Sequence, residues 1–531
     1  MRHTRPVTVT RSPAAGSAAS PAASRVASPA AGESGHLQDE AAYRALESRD
    51  GRFDGRVWFG VTSTGIYCRP VCPAQTPKRP NVRFFASPAA AVAAGFRACR
   101  RCRPDSAPGS RAWDHRSDLV ARALRGIADG TVDHSGVNGL AERLHVSERH
   151  LHRTLTASVG AGPLQLATSR RAQTARLLID QTTLPITEIA YAAGFTSIRQ
   201  FNDVMRRQFG VAPSHLRRTP PTDLAADSPD LVLRLNYREP YDLAAAGRFL
   251  AARTLAGVEE HGDADGTWTH RRALRLAHST VDITVSPIRG KAQLGVRVRD
   301  VDLRDIAELV TRARRWLDLD ADPASIADVL AADPLLAPLV ADRPGLRVVQ
   351  TPDAFEGLAR AIVGQQVSVP AALTLLGRVV RAFAPTHAHL CAFPTPVQLA
   401  AVEMADWRSW GFITSRARTL IEVSELIARG DIALDHDADR GEVRAKLMAV
   451  KGIGRWTASY VSLRALGDPD AFPETDLVVR RNAESLGITP ESLLAHSEQW
   501  RPWRSYAATH LWNHPPTRPH SETPHHEART T

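Results

Sequence analysis

Four of the five cysteines in this 531-residue chain lie in two short stretches near its start. Cys68 and Cys72 are separated by three residues, Cys99 and Cys102 by two, and 26 residues lie between the pairs. Two closely spaced cysteine pairs joined by a loop of this length are typical of one tetrahedral Zn²⁺ site. Zinc keeps its bound thiols deprotonated, and a thiolate is a nucleophile. The spacing therefore predicts a zinc site that is either structural or reactive.

The residues around these cysteines carry a second signal. The stretches TSTGIYCRPVC and NVRFFASPAAAVAAGFRACRRCRPD resemble the N-terminal domain of bacterial Ada proteins. The resemblance implies that Cys68 removes a methyl group from a DNA phosphotriester and keeps it irreversibly, with Cys72, Cys99 and Cys102 as the other zinc ligands. Neighbouring arginines could offset the negative charge of a zinc–tetrathiolate group and grip DNA phosphates. These are Arg69, Arg97, Arg100, Arg101 and Arg103.

Charge and hydrophobicity exclude some classes of protein. The formal net charge is +11, which favours an anionic partner such as nucleic acid. No apolar run approaches the roughly 18 residues that a membrane span requires, and the Ala/Ser/Pro-rich N-terminus lacks the apolar core of a signal peptide. We therefore expect a cytoplasmic protein with no membrane partner, whose clustered thiols bind metal instead of forming disulfides.

Two segments of a helical region share one layout, LAERLHVSERHLHRTL at 140–155 and ITEIAYAAGFTSIRQFNDVMRRQFG at 186–210. Each has a short apolar helix, a turn, a serine suited to N-capping (Ser147, Ser197) and a basic polar helix. This layout resembles the AraC-type pair of helix-turn-helix motifs, whose second helices enter the major groove. The candidate DNA contacts are Arg149, His150 and Arg153 in the first unit, and Arg199, Gln200, Asn202 and Arg206 in the second.

A third signal is LMAVKGIGRWTASYVSLRALG at 447–467. Gly452 and Gly454 would let backbone N–H groups at a helix N-terminus reach a DNA phosphate, as in a helix-hairpin-helix. Asp476 follows in AFPETDLVVRRN, directly before an apolar helical run. By position alone it could be an N-cap as readily as a catalytic carboxylate.

The spacing of hairpin and aspartate resembles the helix-hairpin-helix DNA glycosylases. The stretches LRLNYREPYDLAAAGRFLAAR, RPGLRVVQTPDAFEGLARAIVGQQVSV and WRPWRSYAATHLW extend the resemblance to the AlkA-type 3-methyladenine glycosylases. It implies that Asp476 is the catalytic carboxylate and that Trp456, Tyr460 and Trp512 form the base pocket. Electron-rich rings suit N-alkylated purines, which are cationic or electron-poor, once the base is flipped from the duplex. Gln366 occupies the position of the usually apolar wedge that fills the resulting gap.

These signals divide the chain into blocks. We expect a multidomain α+β protein with a small zinc-bound α/β domain, an all-α AraC-type double helix-turn-helix, an α/β AlkA N-terminal domain and an all-α helix-hairpin-helix glycosylase domain. The expected domain ranges are 37–108, 113–218, 230–303 and 304–514, with disordered tails at 1–36 and 515–531. The linkers are expected at 106–110 and 219–230.

Together the resemblances describe an Ada–AlkA fusion that is a DNA-3-methyladenine glycosylase, a suicidal DNA-phosphotriester methyltransferase and a transcriptional activator. We expect a Zn²⁺-containing monomer whose partners are alkylated and promoter double-stranded DNA, and RNA polymerase. The Pro-Cys-His-Arg site of O6-alkylguanine transferases is missing, so that activity is not expected. One alternative is a transcription regulator with structural zinc and a C-terminal half that only grips DNA. Another keeps the glycosylase and makes the N-terminal part a tether.

The identity of residue 456 predicts the type of glycosylase. Trp456 occupies the position at which bifunctional glycosylase–lyases of this superfamily carry a Schiff-base lysine, and an indole has no amine to form one. The protein should therefore release free base from alkylated duplex and leave an abasic site without cutting the strand. Incubation with sodium borohydride followed by a denaturing gel checks this, since a trapped protein–DNA adduct would reveal a lyase.

Overall fold

The computed structural model describes residues 33–50, 53–104, 118–217, 230–264, 266–385 and 389–514. The C-terminal tail, the linker at 106–110 and nearly all of the linker at 219–230 lie outside these ranges. Most of the expected N-terminal tail also lies outside them, although the first helix begins at Glu33, inside that stretch. In the described part of the chain, no helix is both long and apolar enough to cross a membrane.

The zinc block is built on a four-stranded sheet with strand order β3-β1-β2-β4. Its elements are α1 (Glu33–Glu47), β1 (Trp58–Val61), β2 (Ile66–Cys68), β3 (Val82–Phe85), α2 (Pro88–Ala93) and β4 (Arg97–Ala98). The sequence predicts short strands in the apolar runs RVWFGVT and NVRFF, and the structure has β1 and β3 there. Strands β2 and β4 are parallel neighbours, with Tyr67 opposite Ala98. This register brings Cys68 and Cys99, which each follow by one residue, to the same end of the sheet.

Residues 118–217 of the helix-turn-helix block contain six α-helices. They are α3 (Asp118–Ala128), α4 (Thr131–Arg143), α5 (Glu148–Val159), α6 (Pro163–Gln181), α7 (Ile186–Ala192) and α8 (Ile198–Phe209). The two predicted caps are present: Ser147 Oγ accepts from the backbone N–H of His150 at 3.3 Å, and Ser197 Oγ from that of Gln200 at 3.2 Å. The turn of the second unit has Gly194 at φ 87°, and His145 takes φ 56° in the first. Both units therefore turn through a left-handed residue.

The sheet block is a five-stranded antiparallel sheet with strand order β5-β9-β8-β7-β6. Its elements are β5 (Leu231–Asn236), α9 (Leu243–Ala251), β6 (Glu259–Ala264), β7 (Thr267–Arg275), β8 (Thr280–Pro287) and β9 (Gln293–Arg299). The sequence predicts β5, β8 and β9 from alternating apolar residues, such as Val281, Ile283 and Val285, which are buried. Strands β6 and β7 are not evident from the sequence, because the buried β7 contains His270 and Arg272.

The glycosylase block follows and is helical. Its helices are α10 (Ile306–Trp316), α11 (Pro323–Leu330), α12 (Ala337–Asp342), α13 (Ala354–Val363), α14 (Val369–Phe383), α15 (Pro396–Ala400), α16 (Met404–Ser409), α17 (Thr414–Ala428), α18 (Arg440–Ala449), α19 (Arg455–Arg464), α20 (Leu477–Ser485), α21 (Leu493–His496) and α22 (Arg504–Asn513). Ile306, Leu309 and Trp316 of α10 belong to the same apolar core as the sheet. The sheet and the first helix after it therefore pack as one unit.

Neighbouring blocks contact each other through specific polar groups. Arg143 at the end of α4 donates two hydrogen bonds to the carboxylate of Asp437, at 3.0 and 2.8 Å. Arg315 on α10 pairs with Asp129 at 2.7 Å. The apolar core of the sheet also continues into the second helix-turn-helix unit and the zinc block. The four blocks therefore share packing interfaces.

Candidate functional site

The four clustered cysteines lie together at the end of the small sheet. Their sulfur atoms all lie within 4.8 Å of one another. Tetrahedral Zn²⁺ with Zn–S bonds of about 2.3 Å places its sulfur ligands about 3.8 Å apart, so this arrangement fits zinc. Cys68 and Cys72 are buried, with 5 % and 3 % of their surface exposed, whereas Cys99 and Cys102 are half-buried.

Four thiols this close cannot all ionise without a cation between them. Hydrogen bonding with Cys102, Cys72 and Cys99, and then burial, raises the pKa of the Cys68 thiol far above its ordinary value. Hydrogen bonding with Cys102 has the opposite effect on Cys99 and lowers the pKa of that thiol. The pKa values of the two thiols therefore shift in opposite directions, as expected of like charges at short range. A divalent cation would remove this conflict by stabilising all four thiolates.

The arginines around the cluster divide into two groups. Arg69 donates to Asp54, with Nε 2.6 Å from Oδ1, and Arg103 forms an ion pair with Asp180 on α6. These two therefore hold the protein together, a structural role that the sequence does not reveal. The arginines with exposed side chains beside the cluster are Arg97, Arg100 and Arg101.

The two recognition helices present their predicted contacts to solvent. Arg149 and Arg153 on α5 are exposed, as are Arg199, Gln200 and Arg206 on α8. The opposite faces are buried against the rest of the block through Leu151, Leu155, Phe201 and Met205. The apolar faces therefore orient both helices with their basic faces outward. His150 and Asn202 are half-buried at the margins of these faces.

The hairpin between α18 and α19 depends on its glycines. Gly452 has φ 96°, and a Cβ at this position would lie 2.4 Å from Oγ1 of Thr419. Gly454 precedes the first turn of α19 as its N-cap and is exposed. The space beside Gly454 is open, since a Cβ there would meet nothing within 4 Å. Backbone N–H groups at this helix end are thus accessible to an anion.

Asp476 is the N-cap of α20 and also contacts the aromatic pocket. Its Oδ1 accepts from the backbone N–H groups of Val478 and Val479, each at 3.0 Å, and from Nε1 of Trp512 at 3.0 Å. Its Oδ2 accepts from Nε1 of Trp456 at 2.7 Å. The structure therefore confirms the N-cap interpretation and places the same carboxylate in contact with two indole side chains. The carboxylate is held between two indole N–H groups that come from α19 and α22.

The predicted pocket aromatics lie next to one another. Trp456 and Tyr460 stack with their ring centroids 5.2 Å apart and an interplanar angle of 21°. Tyr460 and Trp512 meet edge to face at 6.1 Å. All three rings are only partly buried. They can therefore offer an aromatic surface beside the Asp476 carboxylate.

Gln366 is the residue at the expected wedge position. It is exposed and has φ 56° in the turn after α13. The neighbouring Gln365 ties this turn to the hairpin, because its Nε2 donates to Gly452 O at 2.9 Å and to Thr457 Oγ1 at 2.7 Å. Arg416 donates to the backbone oxygen of Gln365 at 2.6 Å. The turn is thus held against the element that would bind the DNA backbone.

Residues of the sheet block also lie beside the aromatic rings, and the sequence does not indicate them. The guanidinium carbon of Arg464 lies 4.4 Å from the ring centroid of Phe249 on α9 and 5.1 Å from that of Trp512. Arg253 lies 4.1 Å from the same Phe249 ring. Burial lowers the pKa of Arg464 to about 10. Phe249 lies within the stretch GRFLAAR, but no spacing rule connects it to residues more than 200 positions away.

Four family models match successive parts of the chain. They are the metal binding domain of Ada at 41–105, a helix-turn-helix domain at 140–219, the AlkA N-terminal domain at 232–353 and the HhH-GPD superfamily of base excision DNA repair proteins at 359–504. Their order matches the order of the four blocks.

Whole-chain similarity extends across all of these blocks. The chain is 44 % identical over 489 residues to the Mycobacterium tuberculosis protein named "Probable bifunctional transcriptional activator/DNA repair enzyme AlkA", covering 90 % of this chain and 96 % of that protein. The chain belongs to the Ada–AlkA fusion family. It is also 32 % identical over 283 residues to DNA-3-methyladenine glycosylase 2 of Escherichia coli, covering 52 % of this chain and 95 % of that enzyme. The E. coli bifunctional transcriptional activator/DNA repair enzyme Ada is 39 % identical over 127 residues, covering 24 % of this chain and 34 % of that protein.

Family membership and geometry agree on the metal. The match to the metal binding domain of Ada covers all four clustered cysteines, whose sulfurs fit a tetrahedral ion. Zinc is therefore the cofactor of this Ada–AlkA protein. The helix-turn-helix and glycosylase matches make it a DNA repair enzyme that binds double-stranded DNA.

Zinc content tests the ligand set. The purified Ada–AlkA protein should contain one Zn²⁺ per chain, and Cys72→Ser should lose most of it because a hydroxyl does not replace a thiolate ligand. Cys391→Ser is the matched control, since Cys391 lies outside the cluster. Elemental analysis together with a colorimetric chelator measures both. Full zinc occupancy in Cys72→Ser would remove Cys72 from the ligand set.

Proposed function

We propose that this protein repairs alkylated DNA by two separate reactions and activates transcription in response to the damage. The C-terminal half excises N-alkylated bases such as 3-methyladenine by monofunctional hydrolysis, and the zinc block removes methyl groups from DNA phosphotriesters. The observation that carries the proposal is the placement of the Asp476 carboxylate between the indole N–H groups of Trp456 and Trp512, beside stacked aromatic rings. A protein that only gripped DNA would have no need for this arrangement.

Base excision starts with a flipped nucleotide. The alkylated base stacks on the rings of Trp456, Tyr460 and Trp512, where its positive charge is attracted to the aromatic faces. Gln366 takes the place of the missing base in the duplex, and the hairpin at Gly452 and Gly454 holds the backbone beside the lesion. N-alkylation makes the base a good leaving group, so no strong general acid is required.

Asp476 acts on the sugar. As the bond between C1′ and the base breaks, the base leaves with the bonding electrons and positive charge develops on the sugar, which the carboxylate stabilises. Oδ1 already accepts three hydrogen bonds and Oδ2 accepts one. Oδ2 therefore has the greater capacity to accept a hydrogen bond from the attacking water. That water adds to C1′ and releases its proton to solvent through the carboxylate.

Methyl transfer uses Cys68 as the nucleophile. Bound zinc would keep the Cys68 thiol ionised at neutral pH. The sulfur attacks the methyl carbon of a phosphotriester, the carbon–oxygen bond breaks, and the oxygen leaves as an ordinary phosphodiester anion. Cys68 becomes a thioether, and no step regenerates it. Arg97, Arg100 and Arg101 are the exposed arginines that would bind flanking phosphates.

The low exposure of Cys68 gives a second candidate function some support. Only 5 % of this residue is exposed, which also suits a zinc site that merely holds the block together. In the methyl-acceptor proposal the same burial restricts access to the sulfur, so methyl groups should react in preference to larger alkyl groups. The mass of the cysteine-containing peptides after incubation with methylated DNA decides between the two.

Regulation is assigned to the helix-turn-helix block. Helices α5 and α8 would enter successive major grooves of promoter DNA, with Arg149, Arg153, Arg199, Gln200 and Arg206 as contacts to bases or phosphates. We propose that the protein acts as a monomer in the cytoplasm and that RNA polymerase is its partner at the promoter.

Replacement of the catalytic carboxylate tests base excision. Asp476→Asn keeps an oxygen that can cap α20, but it removes the charge that meets the developing cation. Release of 3-methyladenine should fall on the order of 10²-fold or more, while binding to a duplex with an abasic site is kept. Glu474→Gln removes a nearby carboxylate and should excise normally. Near-normal excision by Asp476→Asn, measured by chromatography of released bases, would refute the assignment.

Methylation of Cys68 should strengthen promoter binding. The zinc–thiolate group carries two net negative charges before the reaction and one afterwards, so its repulsion from DNA phosphates falls. The gain should be largest at low salt, where screening is weak. A salt titration of both protein forms on a duplex containing the promoter measures the difference. Equal affinities at every salt concentration would exclude the electrostatic switch.

Two variants control for this switch. Cys68→Ser, checked for its zinc content, should show no change in promoter affinity after incubation with methylated DNA. Cys391→Ser should respond as the wild type does. Mass spectrometry of wild-type peptides should place the added methyl group on Cys68, and its absence from every cysteine would reduce the zinc to a structural role.

A further inference from the structure

A cavity of about 640 Å³ lies where the blocks of the protein meet. Helices α3 and α6 of the helix-turn-helix block form one wall, and β5 and α10 form another. The zinc block contributes Arg103, and the glycosylase block contributes His436 and Arg440. Neither Asp476 nor the pocket aromatics line this space. Its volume lies within the range of pockets that hold small molecules.

The wall of this junction cavity is rich in arginine. Eight arginines line it, together with the carboxylate of Asp320. Further carboxylates pair with the lining arginines and offset part of their charge, namely Asp129, Asp133, Asp180 and Asp468. Guanidinium groups form paired hydrogen bonds with phosphate oxygens more readily than lysine does, because the fork of N–H donors is planar and rigid. The composition of the wall therefore favours a phosphorylated ligand over other small molecules.

Several of these guanidinium groups are already held in position. Arg314 pairs with Asp320, with Nη2 2.5 Å from Oδ1, and donates to the backbone oxygen of Asn236 at 3.3 Å. Arg170 pairs with Asp133 and donates to Ala128 O at 3.2 Å. These contacts offset part of the positive charge. They also fix the side chains in advance, which reduces the entropy lost when a ligand binds.

A half-buried histidine on the cavity wall, His436, has three arginines nearby. Burial lowers the pKa of His436 well below its ordinary value, and the positive charges of Arg315, Arg440 and Arg125 lower it further. The same side chain has a buried Nδ1 with no hydrogen-bond partner among the described residues. Burial opposes a charge of either sign, but the three neighbouring guanidinium groups favour an anion in this part of the cavity.

The rest of the wall is suited to a neutral group. Leu124, Leu177, Val310 and Leu466 supply apolar surface, and Gln173 adds an amide. We propose that the junction cavity binds a phosphorylated small molecule of nucleotide size, with its phosphates on the arginines and its neutral part against the apolar wall. Because four blocks form the wall, such a ligand would also stabilise their packing by binding only the assembled form.

Titration of the zinc-loaded full-length protein tests the site. The probes are ATP, sodium tripolyphosphate and adenosine, followed by calorimetry and by thermal unfolding. ATP should bind saturably and raise the unfolding temperature, tripolyphosphate should bind more weakly, and adenosine should give no signal. The absence of saturable ATP binding would overturn the proposal. Equal affinity for ATP and tripolyphosphate would overturn the role of the apolar wall.

Two variants locate the binding. Arg314→Gln removes a phosphate ligand, and Ala307→Phe fills the cavity without changing its charge. Each should weaken ATP binding about tenfold or more while base excision continues at the wild-type rate, which shows that the variant is folded. Arg429→Gln is the matched control, because Arg429 is exposed and does not line the cavity. It should bind ATP as the wild type does.

Competition with DNA separates this site from the DNA-binding surfaces. Excess duplex of unrelated sequence should leave ATP bound, since the junction cavity lies away from both recognition helices and from the hairpin. Displacement of ATP by duplex, or unchanged ATP affinity in both cavity variants, would show that the phosphates occupy a DNA-binding surface and would overturn the proposal.

Discussion

Three buried charged side chains and the half-buried Arg360 hold the sheet block against the glycosylase helices. Arg272 on β7 donates to Glu259 at 2.7 Å and to Glu356 on α13 at 2.5 Å, and Arg360 donates to both carboxylates. Burial alone would raise the pKa of Glu259, yet Arg360 and Arg272 keep it far below its ordinary value. Removing one partner from such a network typically costs about 3–5 kcal/mol, because a buried charge is left unpaired. Arg360 also donates to the backbone oxygen of Arg253 at 2.7 Å, so the network reaches the residue that lies over the Phe249 ring.

The cysteine cluster and the Asp476 carboxylate are positioned by different means. In the zinc block, parallel strands β2 and β4 bring together cysteines from two distant stretches, and the metal then stabilises the cluster. In the glycosylase block, three helix ends converge on one carboxylate: α20 through its backbone N–H groups, and α19 and α22 through indole N–H groups. The first site depends on a cation to offset its charge, and the second depends on hydrogen bonds that orient a charge.

The first recognition helix, α5, and the hairpin at Gly452 are connected through the fold. Arg143 directly precedes the turn before α5 and is paired with Asp437, two residues before the cap of α18. Helix α18 ends next to the hairpin that contains Gly452. One ion pair and one helix therefore connect the first recognition helix to the hairpin.

The sequence by itself determined the features that depend on local spacing. Cysteine pairs predict a metal site, Ser147 and Ser197 predict helix starts, and the G-I-G turn predicts the hairpin, because each involves neighbours along the chain. Asp476 could be named as a candidate, but its contacts with two indole N–H groups come from helices that meet only in the folded protein.

Tertiary structure alone decided the remaining features. Arg69 and Arg103 look like DNA ligands in the sequence, yet both bind carboxylates. Strand β7 is buried although it contains Arg272. A charged residue is normally expected at the surface, and only its partners in the folded protein show that Arg272 is buried. Phe249 of the sheet block packs against Arg464 of the glycosylase block. In each case the deciding partner is remote in sequence, and no local pattern of residue types encodes which distant groups will meet.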